Sequence, residues 1–340
     1  MGNRKYLVLG PCAAESREQV IETASRICDL RFPISNLIFR AGVWKPRTRP
    51  DTFQGVGEEA LPWLIEVKKT MGIPVATEVA TPEHVEAALK AGIDYLWIGA
   101  RTAANPIAVA AIAERIRVTG YGLRGVLIKN PVNADAALWL GNITRLEQTG
   151  VPVIAVHRGC NHQPCWAMAH QVRLARPDIP MLLDPSHMSG DAKAVPALLD
   201  KIPELGLDGA MIEVHYKPDE ALSDAKQQIS PEAMSAALKD HFAEGPLRCK
   251  TANAEGLELN WLRAEIDELD ERLWDTIAAR MDVSRRIGIW KKAHDVAPLQ
   301  PQRFHHIQEQ VSAFAQAHGL DGEFAQKVLE LVHTESLRQQ

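Results

Sequence analysis

Met181-Leu182-Leu183-Asp184-Pro185-Ser186-His187 is a short apolar run that ends in residues able to do chemistry. Met211-Ile212-Glu213-Val214-His215 repeats the pattern after a stretch of helical spacing from Ala192 to Ile202. Read together they are strand, helix, strand, the unit of a parallel sheet. Outward from this pair the same unit recurs toward the N-terminus. Apolar runs occupy Leu7 to Cys12, Ile38 to Lys45, Pro74 to Glu78, Tyr95 to Arg101, Val126 to Lys129 and Val153 to Arg158, with helical spacing between them, as in Glu83 to Leu89 and Ile107 to Ile116. Eight strand-then-helix units predict a (β/α)8 barrel, the TIM-barrel architecture, whose catalytic groups sit at the C-terminal ends of the strands. The polar endings of the runs are therefore expected on one rim.

The alternation stops near Phe242, and Ala243 to Gly256 holds two glycines and a proline with little apolar periodicity. The chain of 340 residues accommodates a barrel of roughly 250 residues and a second small domain. We expect the barrel over residues 1–243, a linker over 244–256 and a small all-α three-helix domain over 257–340. In that last segment Leu259, Leu262, Ile266, Leu269, Leu273, Ile277 and Met281 are spaced by threes and fours, which predicts a long amphipathic helix to about Lys292. Pro298 and Pro301 punctuate the chain; a second helix is predicted from Gln302 to Ala317, and a third from Glu323 after the turn at Gly319 to Gly322. Three helices make a thin core for a monomer, so the apolar stripe is expected to be buried against a second copy.

A net charge of −5, with 24% charged and 46% apolar residues, is that of an ordinary soluble protein, and no run of lysines and arginines offers a surface to nucleic acid. No stretch approaches the ~20 apolar residues of a membrane span, and the short apolar segment after Arg4-Lys5 is too brief for a signal peptide, so a cytoplasmic location is expected. The odd, widely spaced set of five cysteines, Cys12, Cys28, Cys160, Cys165 and Cys249, fits reduced thiols.

Four residues at the expected rim suit a divalent transition metal: Cys12, His187, Glu213 and Asp224. A thiolate, an imidazole and two carboxylates form a mixed site for manganese, iron, cobalt or zinc, although a lone cysteine is more commonly a small buried hydrophobe. Glu213 and His215, two apart on a strand, are expected on the same face. The rim also carries Arg40, Lys45, Arg47, Arg101, Lys129 and Arg158. A single cation at a strand end is often merely solvated; six at one mouth would repel each other unless anions fill it, which points to phosphate and carboxylate substrates. Lys45-Pro46-Arg47-Thr48 adds a rigid turn suited to a phosphate or a sugar hydroxyl.

Gly10-Pro11-Cys12, Lys45-Pro46-Arg47-Thr48, Gly99-Ala100-Arg101, Arg158-Gly159, Asp184-Pro185-Ser186-His187, Glu213-Val214-His215 and Ser223-Asp224, in that order, resemble the 3-deoxy-D-arabino-heptulosonate-7-phosphate (DAHP) synthases. The likeness is to the short type related to the 3-deoxy-D-manno-octulosonate-8-phosphate synthases and covers residues from about 5 to 243. It implies a transferase, 3-deoxy-7-phosphoheptulonate synthase, condensing phosphoenolpyruvate with erythrose 4-phosphate at the head of the shikimate pathway of aromatic amino acid biosynthesis. It implies one divalent metal ion, manganese before cobalt, iron(II) or zinc, held by Cys12, His187, Glu213 and Asp224. Lys45, Arg40 and Lys129 would hold the phosphoenolpyruvate carboxylate, Arg101 and Arg158 its phosphate, and Arg47 and Thr48 the tetrose phosphate. Glu78 would assist water addition, or serve as a counter-ion to Lys45. The alternative within the resemblance is an octulosonate-type synthase that takes arabinose 5-phosphate. Its members carry a Lys-Ala-Asn-Arg-Ser type segment, whereas Pro46 and Thr48 favour the tetrose. Some of them replace the cysteine by asparagine and work without metal, so Cys12 implies metal dependence.

In the last segment Leu262-Arg263, Ile266-Asp267, Leu269-Asp270, Arg280, Lys291, Arg303 and Glu335-Ser336 through Gln340 resemble the all-helical chorismate mutases. The resemblance implies an intertwined homodimer and an isomerase that converts chorismate to prephenate. Arg263 would cross into the partner's site, Arg280 would bind a carboxylate, Lys291 and Gln340 would donate to the ether oxygen, and Ser336 and Arg303 would line the pocket. Where many members have Asp and, four residues on, Glu against the substrate hydroxyl, this chain has Gln300 and Phe304. The glutamine can still hydrogen-bond; the phenylalanine cannot. A rearrangement that needs no nucleophile is served by fixed cations around a compact conformer. Fusion of the two domains implies an allosteric role for the second, with prephenate feeding back on the synthase; the alternative is a regulatory or dimerising module without significant mutase activity.

Overall fold

The computed structural model describes residues 5–30, 36–46, 51–120, 122–242 and 254–340. Arg47, Thr48, Cys249 and most of the expected linker lie outside the described residues. Eight strands, β1 Tyr6–Gly10, β2 Leu37–Arg40, β3 Val75–Val79, β4 Tyr95–Ile98, β5 Gly125–Lys129, β6 Val153–His157, β7 Met181–Leu183 and β8 Gly209–Glu213, form a closed barrel in sequence order. Every pairing is parallel, and β1 closes on β8 with Leu7 opposite Ala210 and Gly10 opposite Glu213. Alternation along the strands divides the core into two layers. Val8, Ile38, Ala76, Trp97, Leu127, Ile154, Leu182 and Met211 fill the barrel interior, while Leu7, Leu9, Phe39, Leu96, Val126 and Ile212 face the surrounding helices.

Local signals set the helix starts. Ser16, Thr81, Asn105 and Asp135 each accept a hydrogen bond from the first turn they precede, and Pro82 and Pro106 sit where a missing N–H costs nothing. The predicted stretch Ala192 to Ile202 is broken into Ala192–Ala194, Val195–Leu199 and Lys201–Glu204. Pro196 and Pro203 cannot donate within a longer helix, which accounts for the breaks.

Several strands end before their apolar runs do. Cys12, Lys45, Arg101, His187 and His215 all stand beyond the last strand residue, on the connections that form the rim. Gly10 makes one of these endings possible: at φ +146° a β-carbon there would lie 2.1 Å from the Arg40 carbonyl, so β1 and β2 approach at that point only because the position is glycine.

The chain falls into two compact units, Met1–Glu265 and Ile266–Gln340. The first helix beyond the barrel, Ala254–Ala293, runs through this division. Its opening turns belong to the first unit: Trp261 and Ala264, three apart, are buried there, with the Trp261 ring stacked 5.3 Å from His170, whose Nδ1 is 2.6 Å from Glu265 Oε1. Leu259 and Leu262, which open the predicted apolar stripe, are exposed, so the stripe is not the face that these turns bury. In the second unit that helix is followed by Pro301–His318 and Gly322–Arg338. Among the described residues no helix is long and apolar enough to cross a membrane.

Candidate active sites

At the C-terminal mouth of the barrel, Cys12 Sγ and carboxylate oxygens of Glu213 and Asp224 lie within 4.8 Å of one another. Cys12 and Glu213 are fully buried, and the thiol donates to Asp224 Oδ2 at 3.0 Å. Burial, and then the neighbouring Glu213 charge, push the Cys12 thiol far above its ordinary pKa. Glu213 is held below the carboxylate range in spite of burial, because His187, Arg40 and Lys45 favour its charge. His187 is outside this cluster of three, but its Nε2 is 3.6 Å from Glu213 Oε1. Its Nδ1 faces Asp184 Oδ2 at 2.9 Å, and burial lowers its pKa. Once neutral, the form that burial favours, the imidazole with Nδ1 fixed on a carboxylate presents a lone pair at Nε2. Two anionic oxygens, a buried thiol and this nitrogen are a donor set that fits a divalent transition metal.

Arg40, Lys45, Arg101, Lys129 and Arg158 line a cavity of about 400 Å³ beside these ligands. The repulsion expected among the cations is offset in part by the protein itself. Arg40 Nη2 donates to Glu213 Oε1 at 3.0 Å, Lys129 Nζ to Asp184 Oδ2 at 2.7 Å, and Lys45 Nζ is 3.6 Å from Glu78 Oε2. Burial works against the Lys45 ammonium, but the nearby Glu78 and Glu213 carboxylates outweigh it and raise its pKa; for Lys129 burial prevails over Asp184 and lowers it. Donors still remain for an anion: Arg40 Nε and Nη1 and Arg158 Nε are buried with no hydrogen-bond partner among the described residues. A buried N–H left unpaired is costly, so these nitrogens mark where ligand oxygens belong.

His215 does not join the ligands. Two residues beyond Glu213, His215 accepts at Nδ1 from Lys217 N at 3.0 Å, and its Nε2 is 3.9 Å from Glu15.

In the second unit Arg280 Nη1 donates to Ser336 Oγ and lies 3.4 Å from the Val332 carbonyl. Lys291 Nζ donates to Gln340 Oε1 at 3.0 Å and to the Pro298 carbonyl. Gln340, though last in the chain, is tied down: a β-carbon at Gly288 would lie 2.5 Å from Gln340 Cα, a closeness that only glycine permits. Arg280, Lys291, Ser336 and Gln340 thus form one group, while Gln300 and Arg303 are exposed at the start of the second helix. Arg263 is exposed and falls within the first unit.

Over residues 1–243 the sequence matches the family model of the DAHP synthetase I family. The chain belongs to that family. Residues 262–340 match chorismate mutase type II, so this DAHP synthetase carries a mutase domain, and the chain is a bifunctional enzyme of aromatic biosynthesis, a transferase and an isomerase. It is 28% identical over 268 residues to the phospho-2-dehydro-3-deoxyheptonate aldolase of Thermotoga maritima, covering 76% of this chain and 74% of that protein. A crystal structure of a T. maritima enzyme of that name aligns at a TM-score of 0.61 and 27% identity, over 70% of this chain and 68% of the other. The 2-dehydro-3-deoxyphosphooctonate aldolase of Desulfatibacillum aliphaticivorans is 27% identical over 267 residues, 72% of this chain and 93% of that protein. The 4-amino-4-deoxychorismate mutase of Streptomyces venezuelae is 38% identical over 81 residues, 24% of this chain and 79% of the relative.

Several residues of this DAHP synthetase escaped the sequence reading because they act through others. Asp184 orients His187 and pairs with Lys129. Gln227 Nε2 donates to Glu213 Oε2 at 2.7 Å, and Gln228 accepts from Cys12 N at 3.0 Å while donating to the Ser223 carbonyl at 2.8 Å, tying two ligand segments together. Asn130 accepts from Arg158 N at 2.7 Å and donates to the Gly159 carbonyl at 3.0 Å, fixing the turn that carries Arg158. The Asp-x-x-His spacing, an aspartate capping the turn that bears the histidine, is the one signal in the sequence for any of these.

Proposed function

We propose that the barrel condenses phosphoenolpyruvate with erythrose 4-phosphate to 3-deoxy-D-arabino-heptulosonate 7-phosphate, using one divalent metal ion held by Cys12, His187, Glu213 and Asp224, with manganese the first candidate. The observation that carries this reading is the buried thiol and carboxylate cluster beside a cavity with unpaired arginine N–H groups. When bound, the ion supplies Lewis acidity toward the aldehyde. Arg40 and Lys45, with Lys129, hold the enol carboxylate, and Arg101 and Arg158 its phosphate. Arg47 and Thr48 hold the tetrose phosphate. Glu78, 3.6 Å from Lys45, positions that ammonium and accepts a proton from the water that adds at C2 before phosphate leaves by C–O cleavage. Removal of metal by EDTA should abolish phosphoenolpyruvate consumption and manganese should restore it; consumption that persists in EDTA overturns the reading. Arabinose 5-phosphate is the second reading, favoured by the nearly equal identity to the octulosonate relative.

The helical domain, proposed to span 257–340 after a linker at 244–256, rearranges chorismate to prephenate. Arg280, Lys291, Ser336 and Gln340 surround the substrate, joined by Gln300 and Arg303 of the same chain and by Arg263 supplied by a partner. Leu269, Leu273, Trp274 and Trp290 are each more than half exposed, and an apolar surface of this size supports burial in a homodimer. Sedimentation at micromolar concentration should give a dimer, and a monomer would refute this part. Prephenate in the mutase pocket inhibits the synthase by unequal affinity for two arrangements of the domains. Inhibition that survives Arg263→Ala would count against that. The enzyme works in the cytoplasm.

A further inference from the structure

The mutase domain lacks the glutamate that many members of its family place against the ring hydroxyl of the substrate. Position 304 is phenylalanine, and its ring does not face open space. It stacks on His333, with ring centroids 4.0 Å apart and 21° between the planes. His333 lies on the third helix three residues before Ser336, so the two share one helical face, and Gln340 follows just beyond the end of that helix at Arg338. Arg280 meets that face at Ser336, and Lys291 meets Gln340. His333 Nε2 is buried and has no hydrogen-bond partner among the described residues. Burial, then the positive Arg280 and Lys291, lower the His333 pKa, so the ring is neutral near pH 7.

We propose that His333 Nε2 makes the hydrogen bond to the substrate's ring hydroxyl that a glutamate at 304 makes in other family members, the polar group having moved from the second helix to the third. The hydroxyl both donates and accepts, so either tautomer of the imidazole serves. Phe304 fixes the ring plane, and the ligand satisfies a nitrogen that the protein leaves unpaired. The inference rests on the mutase reading of this domain.

The test uses the full chain with chorismate and with an analogue carrying hydrogen in place of the ring hydroxyl. His333→Leu should lower kcat/KM for chorismate about tenfold, the worth of one neutral hydrogen bond, and leave the analogue within about twofold. His333→Gln should retain most of the activity, and Phe304→Glu placed in the His333→Leu background should restore it. His333→Gln and the wild-type preference for chorismate over the analogue remain decisive should the leucine variant fold poorly. Equal losses on both substrates, no loss at all, or failure of Phe304→Glu to restore turnover would overturn the assignment of His333 alone. Absence of wild-type turnover above the uncatalysed rate would instead remove the mutase reading on which it rests.

Discussion

Asp184→Asn isolates what the protein contributes to the proposed metal site without touching a proposed ligand. One oxygen of Asp184 meets Lys129 Nζ at 2.7 Å and His187 Nδ1 at 2.9 Å, and the other accepts from His187 N at 3.0 Å. Asparagine keeps the size and the backbone bond and removes the charge. The Asp184 pKa is well below the carboxylate range: burial opposes the charge, but His187 and Lys129 outweigh it. Two consequences follow. His187 loses the carboxylate that fixes its tautomer and raises its basicity, an effect worth about 10- to 100-fold in metal affinity, or roughly 1.4–2.7 kcal/mol. Lys129 is left as a buried ammonium with its carboxylate gone, which costs about 3 kcal/mol of folding stability or drives the lysine toward its neutral form. Competition with a chelator of known affinity at fixed pH measures the first, and urea unfolding of the metal-free protein measures the second. A manganese affinity within twofold of wild type in a folded variant would refute the role assigned to Asp184, and unchanged stability would refute the charge argument for Lys129.

The Cys12 thiol, held protonated by burial and Glu213, must lose its proton to bind metal, so affinity should rise almost tenfold per pH unit across neutrality, and Cys12→Ser should flatten that slope; a wild-type affinity independent of pH would contradict this. At Gly99 a β-carbon would lie 2.1 Å from Glu78 Oε1. Gly99→Ala should therefore swing Glu78 away from Lys45 and cut synthase kcat about 100-fold with little change in Tm, since the displaced atom ends a flexible side chain; full turnover would show that the Glu78 position is immaterial. His157, buried between Trp139 and Trp166, has its pKa lowered by burial to about 3. The unfolded chain takes up this proton near pH 6.5 and the folded one does not, so the contribution is whole above pH 6.5 and is lost as pH falls toward 3. It is on the order of 5 kcal/mol, and His157→Phe should shift acid unfolding to lower pH; an unmoved acid midpoint would argue against it.

The barrel was legible because a fully buried parallel strand has to be a short apolar run, and its ligand-bearing rim has to follow the run. Strand ends were not legible, since apolar pattern does not register where a hydrogen-bond ladder stops. The cations were readable one by one, and Glu78 was readable as a counter-ion for Lys45, but the pairing of Lys129 with Asp184 and of Arg40 with Glu213 depends on which strands become neighbours. Gln227, Gln228 and Asn130 carry no charge and act through backbone or through a ligand, so nothing in their spacing sets them apart. In the second domain the positions that gather around Arg280 follow helical periodicity. His333 could have been found that way, one turn before Ser336. The division near Glu265 could not, because a single helix runs through it and only the burial of Trp261 and Ala264 reveals which turns belong to the barrel.

The central claim is the identity of the sugar. Phosphoenolpyruvate consumption by the manganese-supplied full chain should be measured with erythrose 4-phosphate and arabinose 5-phosphate in parallel. Turnover with the tetrose and not with the pentose is the predicted result, whereas turnover with arabinose 5-phosphate would contradict the pathway assignment.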